Sequence, residues 1–243
     1  MASSSAEWPI GWIIPDTTEY LYTVPLLGPN AEQGIRVGNN DDLVWTKGEL
    51  YGKKIYLVNA SRLQLAYASA NMKQAFGIKI LFVGGTYQSM NSLHPIGHCN
   101  LKMPYVDDWN SNKLATSIPR DDIESLAQLS VAKDLFIARS KEGHFNLNRL
   151  ISQWAENNQA VNHGLTMPPA TPDSYEEWPA HKNDQMCCGK EFNNENYTNQ
   201  TPCLKVLGLA GYRGRADNDI KWLKYATLKS AAAIAGIIFS LTV

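Results

Sequence analysis

A chain of 243 residues with 44% hydrophobic and 19% charged residues carries enough apolar material for a substantial core, which separates it from disordered chains. The formal net charge is −1 and the longest basic run is Lys53–Lys54, so the basic stripe of a nucleic-acid binder is missing. Four cysteines are too few for a disulfide scaffold at this length and point to an intracellular or virion-associated, assembly-type setting.

The N-terminal stretch MASSSAEWPIGWIIPD has no basic n-region and no uninterrupted apolar h-region, so it does not read as a secretory signal. TEYLYTVPLL alternates and is rich in aromatics, which predicts extended structure; DLVWTKG and KKIYLVN (Lys53 to Asn59) predict two further strands. Residues 60–77 have helical spacing, with Asn59 or Ser61 available as a cap and Gly77 as a stop. IKILFVGG is a continuous apolar run suited to a buried strand, giving the order strand, helix, strand.

Residues 87–118 read as a polar loop. PRDDIESLAQLSVAKDLFIA then opens with proline and acids and closes on Arg139 and Lys141, as helices do. NLNRLISQWAENN places Leu147, Leu150, Ile151 and Trp154 on one helical face. Residues 164–203 read as loop, and GYRGRADND (Gly211 to Asp219) as a turn and helix cap or as an anion-holding turn. A last helix starts at Asp217 or Asn218 and ends in SAAAIAGIIFSLTV, Ser230 to Val243, which is uncharged but shorter than the about 20 residues a bilayer span needs. The expected fold is α+β, a single domain over residues 1–229 with a mixed or antiparallel sheet, packed helices and long loops. Residues 230–243 form an apolar C-terminal helix docked on the core or on a partner, with membrane contact as the other use of that tail.

The stretch with most chemical content is SLHPIGHCN, where His94 and His98 stand beside Cys99 in a loop after an apolar strand. Imidazole and thiolate are both good metal ligands, and a loop after a strand leaves room for water or substrate. The structural alternative is a turn in which His94 caps the loop and His98 lies at the surface. Adjacent carboxylates at Asp107 and Asp108 are the acidic pair nearest this loop in sequence.

GGTYQS followed by Ser92, His94 and Gly97 resembles the zinc-dependent D-alanyl-D-alanine carboxypeptidases and murein endopeptidases, which share a fold with the hedgehog signalling domain. In that family Gly-Tyr-Arg-Ser leads to Ser-x-His-x-x-Gly-x-Ala-x-Asp. Here Gln88 stands for the Arg, Cys99 for the Ala, and Leu101 or Asn100 for the Asp. WPAHKNDQMCCG resembles the family's Trp-x-x-His-x-Asp-His-x-His ending, with His181 and Asp184 matched and Met186 or Cys187 where the last ligand would fall. Only His94 and Gly97 match cleanly, in patches scattered between Gly84 and Gly189.

Two functions follow from the resemblance. The favoured one is a non-catalytic interaction or assembly protein on a degenerate metallopeptidase-like fold, without cofactor, docking through residues 230–243 onto a protein partner or a second copy. The alternative is a zinc-dependent peptidase or amidase. It would hold the metal with His94, Cys187 and Asp107 or Asp108, with His181 as a further ligand or catalytic group and Asp184 as acid or base on metal-bound water. A third reading uses Trp109 and Trp178, two of seven tryptophans, as a carbohydrate-binding surface.

Overall fold

The computed structural model describes residues 8–36, 43–89, 94–103, 120–168, 175–177, 201–212 and 216–241. Among these residues eight strands form one mixed sheet: β1 (Ile10–Ile14), β2 (Glu32–Arg36), β3 (Leu43–Leu50), β4 (Lys53–Asn59), β5 (Ile80–Ser89), β6 (Cys99–Lys102), β7 (Tyr175–Glu177) and β8 (Cys203–Tyr212), in the order β2-β3-β4-β1-β5-β8-β6-β7. The four central strands β4, β1, β5 and β8 run parallel, while β2, β3 and β6 pair antiparallel with β3, β4 and β8. The mixed sheet with packed helices is the architecture expected from the sequence. Parallel strands covered on both faces read as continuous apolar runs, which is the case for IGWII and ILFV.

Period-two alternation assigns the faces. Ile10, Trp12 and Ile14 of β1 share one core with Phe82, Leu204 and Val206. The helices α1 (Thr17–Thr23), α3 (Arg120–Lys141), α4 (Leu147–Asn157) and α6 (Ala216–Ser240) pack into that core through Tyr20, Leu129, Phe136, Ile151, Tyr225 and Ile234. On the opposite face, α2 (Leu65–Phe76) sets Leu65, Ala68 and Met72 against Ile13, Val58, Leu81 and Val83. A short helix α5 (Gln159–Asn162) follows α4, capped by the Asn158 carboxamide.

Three expectations change. TEYLYTVPLL is not extended: Asp16 caps α1 by accepting from the Glu19 amide at 3.0 Å, and Val24–Leu27 continue as a 3-10 turn. The alternation there marks a short amphipathic helix whose Glu19, Tyr20 and Thr23 are buried. The helix expected over residues 60–77 begins at Leu65 after Gln64, with Gly77 as its left-handed stop at φ 65. Cys203, read as loop, and Gly211 and Tyr212, read as a turn, belong to the buried strand β8, whose residues 204–210 carried no expectation.

Residues 230–241 are no separate tail. Ser230 through Ile238 continue α6 and are buried, with Ile234, Ile237 and Ile238 in the main core. Their apolar character is explained by burial within this chain, so the docking use of the segment falls. Among the described residues no helix is long and apolar enough to cross a membrane.

Candidate active site at the carboxyl ends of the parallel strands

In open sheets with parallel strands, ligands bind beyond the carboxyl ends of those strands. The carboxyl end of β1 runs directly into Pro15 and the Asp16 cap of α1, which sets Glu19 beside β5. Asp16-x-x-Glu19 is the pattern of a capping box, in which the third helical residue turns back to the cap. Half of that box forms, because the Asp16 side chain accepts from the Glu19 amide. The Glu19 carboxylate turns to the sheet instead, where Oε1 accepts a hydrogen bond from Thr86 Oγ1.

Glu19 is 6% exposed. Burial pushes its carboxyl up to about 7, the Thr86 hydroxyl and amide oppose the shift, and the Asp16 carboxylate adds to it. A carboxyl balanced near neutrality can both take and give a proton at physiological pH, which a general acid–base requires. The strand makes room for it with glycine. Gly85 has φ +146, and a Cβ there would come within 2.7 Å of Glu19 Oε2.

Around this corner lie polar and apolar groups a ligand could meet. Thr17 Oγ1 donates to Ser61 Oγ at 2.8 Å and accepts from Asn59 Nδ2 at 3.2 Å, forming an exposed network at the carboxyl end of β4. Tyr87, Leu207 and Leu209 cluster with Ile96 and Tyr212 near the ends of β5 and β8.

The histidine loop has a different construction. His94 and His98 stack with ring centroids 4.3 Å apart. The loop is stitched to β8 by Gly97 N–H to Leu209 O at 2.7 Å and Leu209 N–H to His98 O at 2.8 Å. The Tyr212 hydroxyl donates to the His94 carbonyl. His98 is 1% exposed, against the expectation of a surface residue. Its imidazole is pushed down to about 4, first by burial, then by His94 and Lys229, with Asn100 opposing. Cys99 is the first residue of β6, fully buried, with its thiol on the Gly97 carbonyl at 3.6 Å. Gly97 has φ +83, and a Cβ there would lie 2.4 Å from the Tyr225 ring, so its glycine has a local steric cause.

Of the proposed zinc and catalytic set, His94 is placed in this loop. Asp107, Asp108, Trp109, Trp178, His181, Asp184 and Cys187 lie outside the described residues. Among the described residues no group of three or more His, Cys, Asp and Glu could hold a metal ion. Sequence reasoning did not single out Glu19, Thr86 or Gly85. The available signals were the Asp16-x-x-Glu19 pattern directly after an apolar run and the Gly84–Gly85 pair inside a strand.

No protein-family model matches the chain, and no curated relative does. Solved structures match it over nearly their whole length. An S-adenosylhomocysteine nucleosidase from Streptococcus pyogenes, in complex with 5-methylthiotubericidin, has 11% identity and a TM-score of 0.58 over 99% of this chain and 100% of its own. A 5′-methylthioadenosine/S-adenosylhomocysteine nucleosidase from Colwellia psychrerythraea, in complex with adenine, has 14% identity and a TM-score of 0.55 over 97% and 96%. A futalosine hydrolase from Helicobacter pylori has 15% identity and a TM-score of 0.53 over 97% and 99%. At these identities the likeness shows the fold, which is that of nucleosidases and not of the hedgehog-like zinc peptidases. The resemblance drawn through His94 and Gly97 is thereby overturned. With it go the degenerate metallopeptidase framework, the non-catalytic assembly role and the zinc amidase built on it; the tryptophans of the sugar-binding reading, Trp109 and Trp178, lie outside the described residues.

Proposed function

We propose that the chain is a nucleoside hydrolase that cleaves the bond between a purine-type base and its ribose, with Glu19 as the acid–base group. The single observation that carries this reading is the Glu19 carboxyl, buried at the carboxyl ends of β1 and β5 and raised to about 7. The nucleosidase-like fold supports the choice of chemistry, because the relatives that share it include enzymes described with adenine or a methylthio nucleoside analogue.

Cleavage needs an oxygen nucleophile at the anomeric carbon and a proton on the departing base nitrogen. In its ionised form Glu19 takes a proton from the attacking water as the C–O bond forms and the C–N bond breaks. The electron pair of the broken bond leaves with the base, which takes up a proton from solvent, Glu19 returns its proton to solvent, and the products are a free base and a free sugar. Thr86 orients the carboxylate by its hydrogen bond to Oε1, leaving Oε2 over Gly85.

The test is release of free base from adenosine and 5′-methylthioadenosine, followed by chromatography, for wild type and E19Q. Wild type is expected to release base, and E19Q to be slower by about 10²–10⁴-fold, the usual contribution of a positioned acid–base group. Absence of base release from every purine nucleoside tried, or equal rates in the two proteins, would overturn the reading.

A further inference from the structure

The ladder between β5 and β8 contains a side chain where the strands support Glu19. Leu81 pairs with Cys203 and its amide donates to Pro202 O at 2.9 Å. Two steps along β5 in the same phase, Gly85 pairs with Leu207, which directs its amide at the Val206 carbonyl. The Ser230 hydroxyl of α6 sits on both ends of that rung. It accepts from Gly85 N–H at 3.2 Å and donates to Val206 O at 2.7 Å.

A helical serine reaches a sheet rung only if helix and strand come unusually close. Gly208 allows this: a Cβ there would lie 2.1 Å from the Ala226 carbonyl, one turn before Ser230 on α6. At Gly84 on β5 a Cβ would lie 2.5 Å from Trp12 Nε1 and 3.1 Å from the Ile234 side chain, one turn after Ser230. The three residues Ala226, Ser230 and Ile234 share one helical stripe, and the small residues opposite them let that stripe lie on the strands. Ser230 is 1% exposed and both of its hydrogen bonds go to backbone.

We infer that Ser230 is a positioning residue for the Glu19 site, its hydroxyl fixing the Gly85 backbone on which the Glu19 carboxylate rests. Gly85 carries an unusual positive φ, lies where a Cβ would come within 2.7 Å of Glu19 Oε2, and is followed by Thr86, which holds Oε1. A shift of the Gly85 amide therefore moves both contacts of the carboxylate together. The C-terminal helix is tied to the site through one hydroxyl, although it supplies no group to the reacting atoms. The inference rests on the reading of Glu19 as the working carboxylate.

The experiment is a pH titration of the full-length chain carrying ¹³Cδ-labelled glutamate, with the Glu19 signal assigned by its loss in E19Q. Wild type, S230A, S230T and S240A are compared. S230A is expected to move the Glu19 midpoint by about half a pH unit or more, while S230T, which keeps the hydroxyl, restores it. S240A removes another buried α6 hydroxyl, one that donates to Gly236 O within the helix, and is expected to leave the midpoint in place. If S230A does not fold, S230T and S230V give the same comparison, being alike in shape and differing by the hydroxyl. A wild-type midpoint in S230A, or equal midpoints in S230T and S230V, overturns the inference. The titration uses no substrate, so failure of base release would count against the hydrolase reading alone and leave this result to judge Ser230.

Discussion

Two corners of the molecule each bury a titratable group in a strand-end setting, and they differ in where burial leaves the proton. At the end of β1, Glu19 is raised from 4.5 to about 7. In the loop before β6, His98 is lowered from 6.5 to about 4. Both shifts are led by desolvation of the charged form, yet they have opposite consequences at neutral pH. Glu19 is poised between two protonation states, next to the half-buried Thr86. His98 is locked neutral, stacked on His94 and sealed under a loop stitched to β8. Burial makes a catalytic group only where the shifted value lands near the working pH and a ligand can approach.

The largest contrast is in turnover. E19Q should lose about 10²–10⁴-fold in base release, while H98N should change the rate by less than about tenfold, since His98 touches no reacting atom in this account. Rates that fall equally in the two variants would break the distinction between the corners.

The next effect is on stability against pH, and the two corners pull in opposite directions. Glu19 binds its proton more tightly folded than unfolded, so its contribution is fully present below about 4.5 and is lost as pH rises through about 7. His98 binds its proton less tightly folded than unfolded, so its contribution is present above 6.5 and is lost as pH falls through about 4. Each is on the order of 3 kcal/mol, and in wild type they largely offset between pH 4.5 and 6.5. Denaturant unfolding should therefore show E19Q losing stability on acidification more steeply than wild type, and H98N losing it on alkalinisation more steeply. A flat difference between E19Q and wild type from pH 4 to 8 would contradict the raised carboxyl.

Steric effects come next. G97A must carry a side chain at φ +83 against the buried Tyr225 ring and should cost about 2 kcal/mol with base release kept in the folded fraction. G85A should cost a similar amount, and because its Cβ would displace Glu19 Oε2 it should abolish base release as well. Equal kinetic effects of the two alanines would remove the special role of the β5 corner. The smallest effect belongs to T86V. Thr86 holds the Glu19 carboxyl down, so its loss should raise the midpoint further and cost about 1 kcal/mol.

Much of the scaffold was legible in the chain because its physics is local. KKIYLVN, with its β-branched and aromatic residues, forms β4 over Lys53–Asn59, and the amphipathic face of Leu147 and Ile151 forms α4. Gly77 ends α2 in the left-handed conformation that glycine accepts without strain. The misreadings arose where a local pattern had two uses. The alternation in TEYLYTVPLL fits a strand or a short helix, and only the pairing of β1 with β4 and β5 leaves the next segment free to turn at Asp16. Gly211 fits a turn as well as a strand, and it lies in β8, where Gly208 admits the α6 backbone.

The site was less legible because it is made by long-range contacts. Glu19 and Thr86 are 67 residues apart, and Gly85 and Ser230 are 145 apart. Nothing near Glu19 in the chain announces that its carboxylate leaves the helix cap for the sheet. The histidine loop misled for the converse reason. His94, Gly97, His98 and Cys99 stand together in sequence as metal ligands do, but Gly97 is required by the Tyr225 ring and Cys99 is a buried strand residue.

The central claim is that Glu19 is held near neutrality at the ends of the parallel strands. Its most direct test is the midpoint of the Glu19 ¹³Cδ signal in the wild-type chain. A midpoint close to 7 is the predicted result. A midpoint close to 4.5, the value of an ordinary glutamate, would contradict the account at its base.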